Sequence, residues 1–261
     1  MGDLLQRSSG MPAAAPSASD AVTLFVLALS LLYFVFLPIE RHHLGAGLLA
    51  AEWIGLLGLT LLYARASGRH FLTLIVMVRP SARALAAAVL VGSCAWPAVA
   101  IVSEWLLPVP EHVLGELRKA VAPQDGSRGL AATVVLMAVS PAICEETLFR
   151  GPILRGLASR MGPKLAVATS AVLFGAFHLD SYRLIPATAL GILLGILAYR
   201  ARSIVPAMLA HFCNNTILIA LAQNGLDQRM ASLGHLALAI IVAASLALTS
   251  AGLSLVYGSS A

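Results

Sequence analysis

Three short stretches carry residue types and spacings able to do chemistry: Glu145-Glu146-x-x-x-Arg150, Phe174-x-x-x-His178 and His211-x-x-x-Asn215. On an α-helix, positions i and i+4 share a face. Glu146 and Arg150 therefore stack as an ion pair, in the favourable order with the acid nearer the N-terminus. Glu145 points about 100° away around the helix and is left free to take a proton. His211 and Asn215 present two donors on one face. A carboxylate that accepts a proton from water, imidazoles that help to activate it, and donors aimed at a developing oxyanion together make a hydrolytic set. Glu145, His178, His211 and Asn215 are the candidate catalytic residues, with Glu146, Arg150 and Phe174 in support.

Such groups must be held somewhere, and the surroundings of these are apolar. Hydrophobic residues make up 59% of the 261, and only 11% are charged. Mean hydropathy is +0.88. Long uncharged stretches recur along the whole chain, and the ten-residue alternation of an outer-membrane barrel is missing. The fold class is therefore all-α, a polytopic membrane bundle of about eight transmembrane helices. Ionisable groups inside hydrocarbon are costly and need a reason. Three of them within six positions, Glu145 to Arg150, mark a site rather than an accident.

The expected helices run over 21–37, 44–63, 85–107 with a kink at Trp96-Pro97, 130 to about 160, 163–179, 184–199, 204–221 and 233–255. This divides the chain into a polar, disordered tail (1–20), three N-terminal helices (21–107), a loop carrying an interfacial helix (108–129), a helical core (130–222) and a C-terminal helix (223–261). The first apolar run follows a long polar lead and ends in Pro38-Ile39-Glu40-Arg41 without a small-residue cleavage site, so it reads as a helix rather than a signal peptide. The loop helix, with Val113, Leu114, Leu117 and Val121 opposite Glu111, Glu116 and Lys119, lies on the bilayer, with a gating lid as the alternative. If eight helices alternate, 11 of the 17 Lys and Arg residues fall on one side. That bias places both termini in the cytoplasm and explains the basic pI without nucleic acid. Cys94, Cys144 and Cys213 read as reduced thiols rather than a disulfide framework.

A hairpin turning at Met161-Gly162-Pro163 sets Glu145 and His178 at the same distance from the turn, about 16 residues or ~25 Å along each helix. The two then face each other, provided that Gly151-Pro152 bends the helix without ending it. His211 joins them from the next helix but one. Glu52 is a lone intramembrane acid with no spaced partner, and reads as pore-facing, interfacial or protonated rather than catalytic.

In this order and within membrane helices, the three motifs resemble those of the CPBP intramembrane proteases, which include the type II CAAX prenyl endopeptidases and Abi-like bacterial proteins. The resemblance covers roughly residues 130–222, with no departure at the motif positions. It implies hydrolysis of a peptide bond within the membrane. Glu145 would be the general base, His178 would help to activate water, and His211 and Asn215 would stabilise the oxyanion. A zinc version would use Glu145, His178 and His211 as ligands, with one open position. No HExxH motif favours it, and no cofactor is assigned. The expected partners are a membrane-anchored or lipidated protein substrate, cut near its C-terminus in processing or sorting, and the lipid bilayer, with no nucleic acid. The Ala/Leu/Arg-rich composition points to a multi-pass protein of the bacterial inner membrane. The alternatives are a proton-coupled transporter, with Glu52, Glu145 and the histidines as its relay, and a non-catalytic scaffold of the same fold.

Overall fold

The computed structural model describes residues 15–121, 126–225 and 232–257, and they form helices without strands. Among the described residues, seven helices are long and apolar enough to cross a membrane: α1 (Ala18–His42), α2 (Leu44–Ala66), α3 (Ala82–Leu106), α5 (Gly129–Met161), α7 (Ser181–Ala201), α8 (Val205–Gln223) and α9 (His235–Tyr257). An eighth, α6 (Pro163–Phe177), is apolar but shorter. The chain is a multi-pass membrane protein. The loop helix, α4 (Glu111–Val121), carries an exposed Lys119–Glu116 ion pair at 2.8 Å.

Residues 1–14 of the expected polar tail lie outside the described residues. Its last part is already helical, because Ser17 caps α1 and Asp20 answers it in a capping box. α6 ends early for a backbone reason. Leu179 follows His178 in the left-handed region at φ 51°, and Asp180 caps the next helix through Tyr182 N–H.

α5 is the axis of the bundle. Every residue from Cys144 to Leu154 is buried, and α1, α2, α6, α7 and α8 all pack against it. Two wide turns shape it, Val135–Val139 and Phe149–Ile153, where the helix has π geometry. The second contains Pro152 and Gly151, whose ψ of −110° bends the helix without ending it. The first precedes Pro141. A proline has no N–H to give to the carbonyl four residues back, and that orphan, Met137 O, is taken by Asn215 Nδ2 of α8 at 2.9 Å.

A parallel repair ties α9 to α3 beside Pro97. The Ser245 hydroxyl donates to Cys94 O at 2.6 Å and accepts from Ala98 N–H at 3.2 Å. It stands between two groups that would bond each other in a regular helix. Two larger apolar clusters and a small one around Leu74, Ile75 and Ile204 result among the described residues. One, rich in Phe149, Phe174 and Phe177, joins α1, α2, α5 and α6. The other, rich in alanine, joins α3, α7, α8 and α9. In the second the backbones approach so closely that a Cβ on Gly92 would lie 2.7 Å from the Ala210 Cα.

Candidate active site

Of the motif residues, Glu145, Glu146, Arg150, Phe174, His178 and His211 come together where α5, α6 and α8 pack. Glu146 and Arg150 pair at 3.1 Å (Nε to Oε2), with both side chains essentially without exposure. Arg150 also donates from Nη2 to Gly191 O at 3.2 Å, and its guanidinium lies 4.6 Å from the Phe174 ring centroid. Charge in this apolar place is therefore compensated from three sides, as buried ions require.

Glu146 does more than neutralise Arg150. Its Oε1 lies 3.0 Å from His211 Nδ1. A carboxylate can only accept, so Nδ1 carries the proton and the tautomer is fixed. The other ring nitrogen, Nε2, is directed at Glu145, 3.9 Å from its Oε2. The result is a buried line, Arg150–Glu146–His211–Glu145, in which the two adjacent glutamates address opposite edges of one imidazole. The sequence pairs Glu146 with Arg150 alone and Glu145 with His178. In the structure the imidazole nearest Glu145 is His211.

His178 lies beside this line. Its Nδ1 donates to Phe174 O at 2.9 Å, which leaves Nε2 free to accept. Phe174 is the wall that aligns the two histidines, with ring centroids 5.2 Å from His178 and 5.9 Å from His211. Asn215 is half-buried, and one of its amide hydrogens is committed to Met137 O. Its Oδ1 accepts from Asn214 Nδ2 at 3.1 Å. Asn215 thus anchors α8 to the first wide turn of α5.

Glu52 corrects the expectation of an isolated acid. It is buried within a wide turn of α2, Ala51–Leu57, and its side chain interacts with that of Glu145. Trp53 fixes this register, because its Nε1–H donates to Ser140 Oγ of α5 at 3.0 Å. An acid in the middle of a membrane helix was the available signal. Its partner could not be found from spacing, since the two carboxylates belong to helices far apart in sequence.

Zinc would need Glu145, His178 and His211 to converge. Among the described residues no three His, Cys, Asp or Glu side chains form a group able to hold a metal. As placed, these three side chains do not form a metal-ligand set.

Residues 127–217 match a known family, described as type II CAAX prenyl endopeptidase Rce1-like. This is the family grouping that the three motifs resemble, and the matched stretch holds all of them. No curated protein and no solved structure matches the chain.

Proposed function

We propose that the protein is an intramembrane endopeptidase that hydrolyses a peptide bond of a membrane-anchored or lipidated protein, near the substrate's C-terminus. The observation that carries this reading is the His211 imidazole held between Glu146 and Glu145, inside the stretch that matches a peptidase family.

Glu145 is the general base. It takes a proton from a water whose oxygen attacks the substrate carbonyl carbon, and later gives that proton to the leaving amine as the C–N bond breaks. His178, with Nε2 free, orients the water. Glu146 holds the His211 ring through Nδ1–H, and in its imidazolium form, with both nitrogens protonated, the ring donates from Nε2 to the oxyanion formed by attack. Asn215 supplies its second amide hydrogen. Donors held in place by buried partners need no reorganisation as charge develops, and this accounts for the largest share of such catalysis. A site built from buried residues of apolar, membrane-length helices fits a substrate that is itself in the bilayer. The Lys and Arg bias supports a reading with both termini in the cytoplasm, and the Ala/Leu/Arg-rich composition supports a bacterial inner membrane.

The test identifies substrates without assuming them. Membrane-protein termini are compared in cells making wild type, Glu145→Ala or His211→Ala at equal levels. New termini that depend on wild type and vanish in both variants are the expected result. A terminus that survives in both removes the peptidase reading. Processing is expected to continue under chelation, whereas loss restored by zinc would require a metal after all.

A further inference from the structure

α2 ends at Ala66 and α3 begins at Ala82, so residues 67–81 link two membrane-length helices at one end of the bundle. The link does not loop away. It makes one short helical turn, Phe71–Leu74, and Leu74 and Ile75 are buried with Ala64 and Ile204. Its backbone is tied down as well. Arg155 of α5 donates from Nη1 to Thr73 O at 2.9 Å and to Leu74 O at 2.7 Å. Just before α8, Ser203 Oγ donates to Val78 O at 2.6 Å and Ile204 N–H to Val76 O at 3.3 Å. Val76 itself is in the left-handed region at φ 55°, a conformation that a β-branched residue adopts only where its surroundings impose it. Residues 67–81 are therefore a strap pinned across the end of the bundle.

The outer face of the strap has no such cover. Leu72, Met77 and Val78 are 49%, 38% and 56% exposed. Arg65, Arg79 and Arg83 are exposed on the strap and its flanks, and Arg160, Lys164 and Arg202 are exposed in the turns that follow Arg155 and precede Ser203. No Asp or Glu lies between Glu52 and Glu104, or between Glu146 and Asp180. Asp20 reaches this end too, because Ser17 packs on Gly156 of α5, but it is held in the Ser17 capping box.

We propose that the strap is a docking surface for anionic phospholipid, with Leu72, Met77 and Val78 seated among the upper acyl carbons and Arg65, Arg79 and Arg83 on headgroup phosphates. An apolar patch bordered by cations fits a surface that is apolar beneath and negative above. An acidic soluble protein would meet the arginines, but the strap lies where two membrane spans end, and headgroup phosphate is the negative charge already present there. This docking does not depend on whether the protein cuts anything.

Hydrogen exchange of the full-length protein tests it, in nanodiscs of phosphatidylcholine alone or with a quarter of the lipid replaced by phosphatidylglycerol. Amides of residues 71–79 should exchange about threefold or more slower with phosphatidylglycerol, and molar salt should screen most of that response. Arg79→Gln/Arg83→Gln should lose it, whereas Arg41→Gln, at the other end of α1, should keep it. Leu72→Asn/Met77→Asn retains every cation and should still weaken it, because the apolar half of the contact is gone. Thermal midpoints in phosphatidylcholine confirm that the variants compared are equally folded, and the salt response of wild type needs no variant at all. Equal exchange in the two lipids, a response indifferent to salt, or an undiminished response in Arg79→Gln/Arg83→Gln overturns the lipid assignment and leaves the strap to water or a protein partner. So does slowing by inorganic phosphate added to phosphatidylcholine nanodiscs, which would make the ligand a free anion. An undiminished response in Leu72→Asn/Met77→Asn overturns the seating of the apolar residues.

Discussion

α5 and α9 show how differently two membrane helices can be used. α9 is the more hydropathic of the two, yet only 17% of its most apolar stretch is buried, against 50% for α5. In a soluble protein the order would be reversed. Lipid is as apolar as leucine and rewards no helix for hiding its side chains, so burial follows packing and polar partners instead. α9 shows leucine and isoleucine to lipid and touches the bundle through small and hydroxylated positions, Ser245, Thr249 and Gly252. Between Ser140 and Leu154 α5 carries two acids, an arginine and two prolines, and this stretch must be enclosed because each has to find a partner inside protein.

The strongest way to break this contrast is to unpair a charge in α5. Glu146→Ala leaves Arg150 buried beside an empty place and releases His211, and is expected to cost about 3–5 kcal/mol. The double variant Glu146→Leu/Arg150→Met should recover much of that stability while remaining inactive. Leu236→Ala in α9, at a position 78% exposed to lipid, should stay within about 0.5 kcal/mol. Unfolding in mixed micelles, with all variants at one lipid composition, checks the order.

How much of this was legible in the sequence follows the same divide. Helix positions were readable to within a few residues, because a lipid-spanning stretch must be long, apolar and continuous. The Glu146–Arg150 pair was readable too, since an i, i+4 spacing fixes neighbours within one helix. Contacts between helices were less so. The hairpin count brings Glu145 and His178 to one depth, but it says nothing about rotation, and the wide turns at Val135–Val139 and Phe149–Ile153 change rotation. That is why His211 rather than His178 is the imidazole next to Glu145. Pro141 announced an orphan carbonyl at Met137, but only the packed bundle shows that Asn215 fills it. Glu52 was visible as an anomaly, and its meaning lay in a helix some ninety residues away.

A smaller effect tests whether close packing, rather than charge, sets the position of His211. Gly92 in α3 lies against the backbone of Ala210, the residue before His211, so a larger side chain must push α8 aside. Gly92→Val is expected to cost about 1–3 kcal/mol by overpacking. Its effect on processing should be larger than that loss explains, because a displacement of about 1 Å can cost roughly a hundredfold in rate. Gly234→Ala, with open space at its Cβ, is the matched control and should change neither. Thermal midpoints and the yield of processed termini, measured on the same preparations, separate stability from geometry.

The smallest effect lies within α9 itself and sharpens what burial means there. Ser245 and Ser254 are two hydroxyls on one lipid-facing helix, but they do different things. Ser254 Oγ donates to Ala251 O of its own helix at 2.7 Å and is exposed. Its loss leaves that carbonyl in the helical ladder, so Ser254→Ala should be silent. Ser245→Ala strands both Cys94 O and Ala98 N–H at the break before Pro97, with no water to replace the hydroxyl. Interhelical hydrogen bonds in membranes contribute about 0.6 kcal/mol on average and up to ~1.7, and a bond that repairs two backbone groups at once belongs at the upper end. Hydrogen exchange of Ala98 in nanodiscs reads the site directly. Faster exchange in Ser245→Ala but not in Ser254→Ala is expected, whereas equal exchange would mean that α9 is held to α3 by shape alone.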